Sequence, residues 1–363
     1  LLQELFFDAV KIRMRSDVPI GTALSGGLDS SAIVGMISHI MNKGGEKRFS
    51  HDWQNAFTAT MKNSFNDETA WARKAAEYVG IKVKSVDITP PSPEELIRYV
   101  YMSEEPYNTA MVPHFRIYEG ISSNGIKVTL DGLGADEIFA GYSFDIQEVL
   151  YRQDLSESEV LNLFNVYKTM HPGNKNMTLE ELRQLPHDLS FKSKMRKLEK
   201  EQGLDALNQV LYIETHEHVL PTILRTADKF SMASGVEARY PFMDYRIILF
   251  AFSIPWSSKI RNGYSKSIER DMARPYMANA IVDRKDKIGF NDPLHLWFND
   301  SLKEFLLDTV HSKEFFECEL INSLQETILA EEFLRSEIDF TAGHRLWYSI
   351  GLFLWEKVMI KGG

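Results

Sequence analysis

The chain has 363 residues, 44% hydrophobic and 25% charged, with a formal net charge of -10 and one cysteine. That is enough chain for a large buried core in one or two units, and the acidic balance argues against a nonspecific binder of phosphate backbones. A single cysteine excludes an intrachain disulfide and makes the reducing cytoplasm the expected compartment; with no apolar run of about 18 residues, no transmembrane helix is expected, and no signal peptide is visible.

Leu1 to Ser16 reads as an amphipathic helix through Leu2, Leu5, Phe6, Val10 and Ile12. Because the chain opens inside this pattern without a methionine, the expectation is a longer polypeptide that continues before Leu1. Pro19–Leu24 reads as a short apolar strand, Ser30–Met41 as a helix, Trp53–Met61 as a strand and Asp67–Tyr78 as a helix. Ile81–Ile88 follows as a strand, Pro93–Ser103 and His114–Ser123 as helices, and Ile126–Leu130 as a strand. This β-α-β-α rhythm predicts an α/β fold, a parallel sheet with helices on both faces, whose ligands bind at the carboxyl ends of the strands. From about residue 146 the strand signals fade and helical patterns dominate, at Ser156–Met170, Leu179–Gln184 and Ser301–Val310, with a loop signal at His171-Pro172-Gly173-Asn174. The expected division is therefore an α/β core over residues 1–145 and a mostly helical C-terminal lobe over 146–363.

The first chemically informative segment is Ser25-Gly26-Gly27-Leu28-Asp29-Ser30-Ser31. It ends a predicted strand and opens a predicted helix. Glycines there let backbone approach a ligand closely, and the helix N-terminus adds free N–H groups and the positive end of the dipole. Together with the serine hydroxyls these make a phosphate cradle. Asp29 would repel phosphate unless a cation lay between them, so Mg2+ is the natural partner. The plainer alternative is a glycine turn with a Ser/Asp cap. The Gly-Lys-Ser/Thr ending of a Walker A loop is absent.

A second strand-end loop reads Leu130-Asp131-Gly132-Leu133-Gly134-Ala135-Asp136-Glu137-Ile138-Phe139-Ala140-Gly141-Tyr142. Asp136 and Glu137 suit either a shared metal site or simply an acidic helix start. A third region, Arg225 to Pro293, carries dense charge of both signs, including Asp228, Glu237, Arg239, Asp244, Lys266, Arg270 and the run Arg284-Lys285-Asp286-Lys287. A buried ion-pair network that fastens the lobe to the sheet and direct catalysis are both open for Asp228, Glu237, Arg239 and Asp244.

These segments resemble the asparagine synthetase family of the ATP-pyrophosphatase superfamily. Ser25–Ser31 is similar to its pyrophosphate loop, Asp131–Tyr142 to its Gly-rich Asp-Glu segment, and Gly263-Tyr264-Ser265-Lys266 with Arg270 to its Gly-x-x-Lys-x-x-x-Arg segment. The resemblance covers about residues 1 to 300. It implies an adenine nucleotide alpha-hydrolase-like fold and ATP with Mg2+ as cofactors. Nucleotide contacts are implied at Ala23, Leu24, Ser25, Gly26, Gly27, Asp29, Ser30, Ser31, Ala59, Asp131, Gly132 and Lys266. Asp131 and Gly132 would border the adenosine, Asp29 and Asp136 would hold the metal, and Lys266 would reach the phosphates. Lys266, Asp29 and Asp136 are thus the implied catalytic residues.

The implied reaction joins a carboxylate to AMP, releases pyrophosphate, and lets an amine or ammonia displace AMP. The expected partners are a small-molecule carboxylate and ammonia, a glutaminase domain in the natural chain before Leu1, and, as a further assembly, a homodimer; neither nucleic acid nor membrane is expected. Aspartate is the family's usual acceptor. Two positions depart from that pattern: Leu133 stands where the best-known members carry glutamate, and Thr109 where an arginine would grip the α-carboxylate, with Arg116 nearby. Amide or lactam formation on a sugar uronate or peptide acid is therefore an alternative. A silent ATP-binding scaffold and a tRNA-adenylating enzyme are alternatives of other classes. No His/Cys cluster has zinc spacing; Cys318 reads as a packing residue and Trp347–Trp355 as a packed C-terminal helix.

Overall fold

The computed structural model describes residues 1–44, 46–50, 52–62, 64–151, 155–170, 172–185, 194–195, 197–199, 202–335 and 339–362. Five parallel strands form one sheet in the order β3-β2-β1-β4-β5: β1 (Ile20–Ala23), β2 (Asn55–Thr60), β3 (Val83–Asp87), β4 (Val128–Leu130) and β5 (Glu237–Arg239). Ala23 is in register with Phe57 across β1 and β2, and Gly21 with Thr129 across β1 and β4. The chain first builds outward from β1 through β2 to β3, then returns to lay β4 on the other side of β1. The strand order therefore reverses between β1 and β4, which opens a crevice above their carboxyl ends.

Successive strand residues face opposite layers, as a pleated strand requires. Ile20, Ala56, Val128 and Leu130 join one core with α1 (Leu2–Arg13), α2 (Leu28–Asn42) and α3 (Thr69–Tyr78). Phe57 and Ala59 face the other core, with Leu96 of α4 (Pro93–Ser103) and Phe115 and Ile121 of α5 (Val112–Ser123). The start of α4 is set locally: Ser92 Oγ accepts from Glu95 N–H at 3.2 Å, and Ser92 N–H donates to Glu95 Oε2 at 2.9 Å, a reciprocal cap with Pro93 at the first position. Helix α2 is buried nearly all round, through Ala32, Ile33, Val34, Met36 and Ile37. It is roofed by the second half of the chain, where a Cβ on Gly35 would lie 2.2 Å from the Tyr276 carbonyl oxygen.

Beyond β4 come α6 (Ala135–Phe139), α7 (Ser143–Leu150), α8 (Glu157–Met170), α9 (Leu179–Gln184), α10 (Ala206–His216) and α11 (Val219–Ala233). After β5 come α12 (Tyr245–Ser253), α13 (Ser267–Ala273), α14 (Leu294–Asn299), α15 (Lys303–Val310), α16 (Ser323–Arg335) and α17 (Phe340–Trp355), with shorter helical turns between them. A third core joins α7, α8 and α10 through Val149, Leu163, Val166 and Leu211. Of the loop expected at 171–174, His171 lies outside the described residues and Pro172–Asn174 form a short 3-10 turn.

One strand differs from expectation. β5 arises in the half where strand signals fade, because Glu237-Ala238-Arg239 has no apolar alternation. It is a strand by virtue of its backbone pairing with β4. Cys318 is buried and packs in the second core. Among the described residues no helix is long and apolar enough to cross a membrane.

Candidate active site

The two loops at the switch between β1 and β4 meet each other. In the first, Gly26 sits at φ +83°, and a Cβ there would lie 2.3 Å from Ala72 N and Trp71 C, so the loop passes directly over the start of α3. Gly27 N–H donates to Ser25 Oγ at 3.1 Å, and Ser25 Oγ lies 3.1 Å from Ser30 Oγ. No side chain caps α2, whose first-turn N–H groups have no acceptor within the helix. Ser31 is buried in that helix and its hydroxyl has no hydrogen-bond partner among the described residues.

The second loop lies against the first. A Cβ on Gly132 would be 2.8 Å from Asp29 Cβ and from Ser30 N. Asp131, expected to border a nucleoside, is buried and fully engaged in the fold. Its Oδ1 accepts from Ala23 N–H at 3.0 Å, and its Oδ2 accepts from the Tyr118 and Thr129 hydroxyls at 2.9 Å each. It thereby ties the end of β1 to the end of β4, and burial pushes its carboxyl above the usual range. Leu24 N–H donates to Phe57 O at 2.7 Å, and Ala59 lies buried toward the same end of β2, in register with Val86.

Asp29, Asp136 and Lys266, far apart in sequence, converge. Lys266 Nζ lies 2.5 Å from Asp29 Oδ1 and 2.5 Å from Asp136 Oδ1. Lys266 is buried and sits at φ +52°, just before α13, a conformation that costs a non-glycine residue about 1–2 kcal/mol. Arg270, one turn on, anchors this segment: its Nε donates to Ser265 O at 2.8 Å and its Nη1 to Arg284 O at 2.7 Å. Gly141 makes the convergence sterically feasible, since a Cβ there would lie 1.8 Å from Asp136 Oδ1 and 2.5 Å from Lys266 Cε.

Two further titratable groups complete the cluster. Lys287 Nζ lies 2.6 Å from Asp136 Oδ2 and 4.0 Å from Asp29 Oδ2, and its side chain is 41% exposed against 5% for Lys266. Its backbone N–H is held by Met170 O at 2.8 Å. Glu269 is fully buried, 3.8 Å from Lys266 Nζ and close to the Asp29 carboxylate. Burial would raise the carboxyl of Asp136, but the two ammonium groups outweigh it and hold it low. Burial raises Glu269 well above the usual range, only partly opposed by Lys266. Burial would likewise lower Lys266, but Asp136 and Asp29 raise it instead.

Asp29 and Asp136 each turn one oxygen onto a single cationic centre. Asp29 and Asp136 supply two hard oxygen donors beside the serine–glycine loop, the donor chemistry that Mg2+ takes. The plainer reading of the charged third region holds for several of its members. Arg239 spans Glu237 at 2.7 Å and the carbonyls of Arg13 and Arg15 at 2.7 Å. Asp244 caps α12 and pairs with Arg13 at 3.1 Å and Arg246 at 2.8 Å, which hold its carboxyl down to about 2. These residues fasten the helical part to α1 and the sheet.

The asparagine synthase family profile matches residues 1–356. The chain belongs to the asparagine synthase family. It is 25% identical to asparagine synthetase [glutamine-hydrolyzing] 1 of Bacillus subtilis (strain 168), over 99% of this chain and 59% of that protein. It is 26% identical to amidase chyE of Penicillium rubens, over 82% of this chain and 52% of that protein. A putative asparagine synthetase of Mycobacterium tuberculosis (strain ATCC 25618 / H37Rv) is 26% identical over 98% of this chain and 57% of its own length. The chain thus spans between half and three fifths of the length of these relatives.

Sequence reasoning assigns no role to Lys287 or Glu269. Lys287 lies in a run of four charged residues whose spacing gives no sign of which one turns inward. Glu269 reads as one more helix charge until the fold buries it. Thr109 and Arg116, the two positions weighed for an α-carboxylate, are both committed elsewhere. The Thr109 hydroxyl donates to the buried carboxylate of Asp292, and Arg116 pairs with Glu95 at 2.8 Å and Glu119 at 3.5 Å.

Proposed function

We propose that this chain is the synthetase half of an AMP-forming carbon–nitrogen ligase, which activates a carboxylate with ATP and converts it to an amide. A carboxylate oxygen attacks the α-phosphorus of ATP, the bond to the bridging oxygen breaks, and pyrophosphate leaves. Ammonia then attacks the acyl carbon, the bond to AMP breaks, and amide and AMP are released with loss of a proton. The observation that carries the reading is the convergence of Asp29 and Asp136 on the buried Lys266, beside an uncapped helix N-terminus at the switch in strand order.

In this proposal the α/β part, residues 1–145, carries both nucleotide loops, and the helical part, 146–363, brings Lys266 and Lys287 to them. The serine loop and the first turn of α2 hold phosphate oxygens with N–H and O–H donors. Lys266 and Lys287 set two positive charges against the charge that develops as pyrophosphate leaves. Mg2+ bound by Asp29 and Asp136 would neutralise phosphate charge and orient the triphosphate.

The finer reading takes aspartate to asparagine with ammonia from glutamine, as the names of the bacterial relatives suggest. A second reading, amidation of another carboxylate, is favoured by the commitments of Thr109 and Arg116 and agrees with the name of an amidase relative. The test is incubation with ATP, Mg2+, ammonia and aspartate, reading AMP, pyrophosphate and asparagine. Asparagine with stoichiometric AMP supports the first reading. Binding of ATP–Mg2+ without aspartate-dependent AMP favours the second, and failure to bind ATP–Mg2+ sinks both.

A further inference from the structure

An open cavity of about 300 Å3 lies between α4, α5 and the end of α11. The topology sets it apart from the converging charges. α5 ends at Ser123, and residues 124–127 lead into β4; α11 ends at Ala233, and residues 234–236 lead into β5. The two connections are joined, since Glu237 N–H donates to Lys127 O at 2.8 Å. The cavity takes lining residues from both helix ends, so it sits by the amino ends of the strands. Asp29, Asp136 and Lys266 meet at the opposite, carboxyl ends.

The lining is apolar in one part and carries both signs of charge in another. Phe115 is 1% exposed and Met102 packs with it in the second core. Arg98 of α4 and Glu119 of α5 line the cavity and pair with each other, yet their side chains remain 48% and 30% exposed. Glu119 Oε2 also accepts from the Tyr99 hydroxyl at 3.2 Å and lies 3.5 Å from Arg116 Nη1. Ser122 in the last turn of α5 and Ser234 just past α11 add hydroxyls, and the two helix C-termini add partial negative charge. A lone anion would meet Glu119 and those helix ends, and a lone cation would meet Arg98. A zwitterion satisfies both, with its ammonium on Glu119 and the helix ends and its carboxylate on the Arg98 guanidinium, whose fork matches a carboxylate. The volume is at the small end of the range for ligand pockets, and the apolar lining suits one compact carbon side chain.

We propose that this cavity binds a free α-amino acid with an apolar side chain, at a site separate from the reacting centre. Binding here does not depend on the adenylating reading, because the cavity and the two glycine loops lie at opposite ends of the strands. The test is calorimetric titration of the chain with leucine, methionine and phenylalanine. The amino acid that binds most tightly is then compared with its decarboxylated amine and its deaminated acid. A Kd of about 1 mM or tighter is expected for at least one amino acid. Its amine and acid counterparts should each bind at least about tenfold more weakly, the scale of one hydrogen bond to a charged group. Arg98→Gln should weaken binding about tenfold. Ala233→Trp, which fills the cavity from the exposed end of α11 and removes no charge, should abolish it. Both are read in protein that keeps the parent circular dichroism spectrum. The proposal is overturned if none of the three amino acids binds, or if either counterpart binds as tightly as the amino acid. An unchanged Kd in either folded variant overturns it too, since the ligand would then lie elsewhere, as in the crevice at the carboxyl ends.

Discussion

Lys266 concentrates the costs of this site in one residue. It is buried, it sits in the left-handed region at φ +52°, and it is held there by two carboxylates. Strain and buried charge of this kind persist only where surrounding structure over-determines them. Replacing Lys266 by Met should reduce pyrophosphate release by about 10²–10³, the range for loss of one preorganised donor to a developing charge. Lys287→Met removes a half-exposed partner and should cost about 10–100-fold, from the roughly 1.5–3 kcal/mol of a hydrogen bond to a charged group. Single-turnover pyrophosphate release checks both, and equal losses for the two variants would contradict the ranking. Lys266 stands out in the sequence because its spacing to a glycine turn and to Arg270 matches a family segment. Lys287 does not, because its inward turn depends on a backbone bond to Met170 at the far end of α8.

At the scale of elements, the serine loop works because β1, α2 and α3 are mutually fitted. The expected strand–loop–helix order is legible from an apolar run ending in Ser25-Gly26-Gly27, but the sequence does not disclose that α3 lies directly beneath Gly26. Gly26→Ala would drive a methyl group to 2.3 Å from the backbone of Trp71 and Ala72 at a positive φ. It should destabilise the protein by about 1–3 kcal/mol and weaken ATP binding as the loop shifts. Thermal unfolding paired with an ATP titration checks this; a variant with unchanged Tm and unchanged Kd would show that the loop is not clamped. β5 teaches the converse lesson. Its three residues carry no strand pattern, and they pair because Val128–Leu130 presents an open edge of backbone donors and acceptors.

For the whole molecule, the helical part buries acid as well as apolar surface. Glu137, Asp145 and Glu214 are buried, and each keeps one carboxylate oxygen without a hydrogen bond among the described residues. Burial, reinforced by Glu137 and Glu148, pushes Glu214 up to about 7. Its folded pKa therefore lies above the usual carboxylate value, so its protonated form favours the fold. That contribution is complete below about 4.5 and is lost as pH rises through about 7. Asp244 has the opposite sign: held down to about 2 by Arg246 and Arg13, it stabilises above the ordinary aspartate range and loses its contribution as pH falls through about 2. Glu214→Gln should gain about 1–3 kcal/mol over the parent at pH 8 and little at pH 4.5. Denaturant unfolding at the two pH values checks this, and a pH-independent difference would refute it.

The sequence by itself determined the parallel α/β core, the two glycine loops at strand ends and three of the groups that converge there, because buried strands, helix starts and close backbone approaches each demand particular residue types at short spacing. Tertiary structure alone decided that Asp131 is a tie between strands, that Thr109 and Arg116 serve the packing of their own loop and helices, that Glu269 is buried and that Lys287 faces Asp136. Each of those outcomes depends on a partner between 13 and 183 residues away in the chain, or on the burial such partners impose, and a charge or hydroxyl carries no mark of which distant partner will claim it.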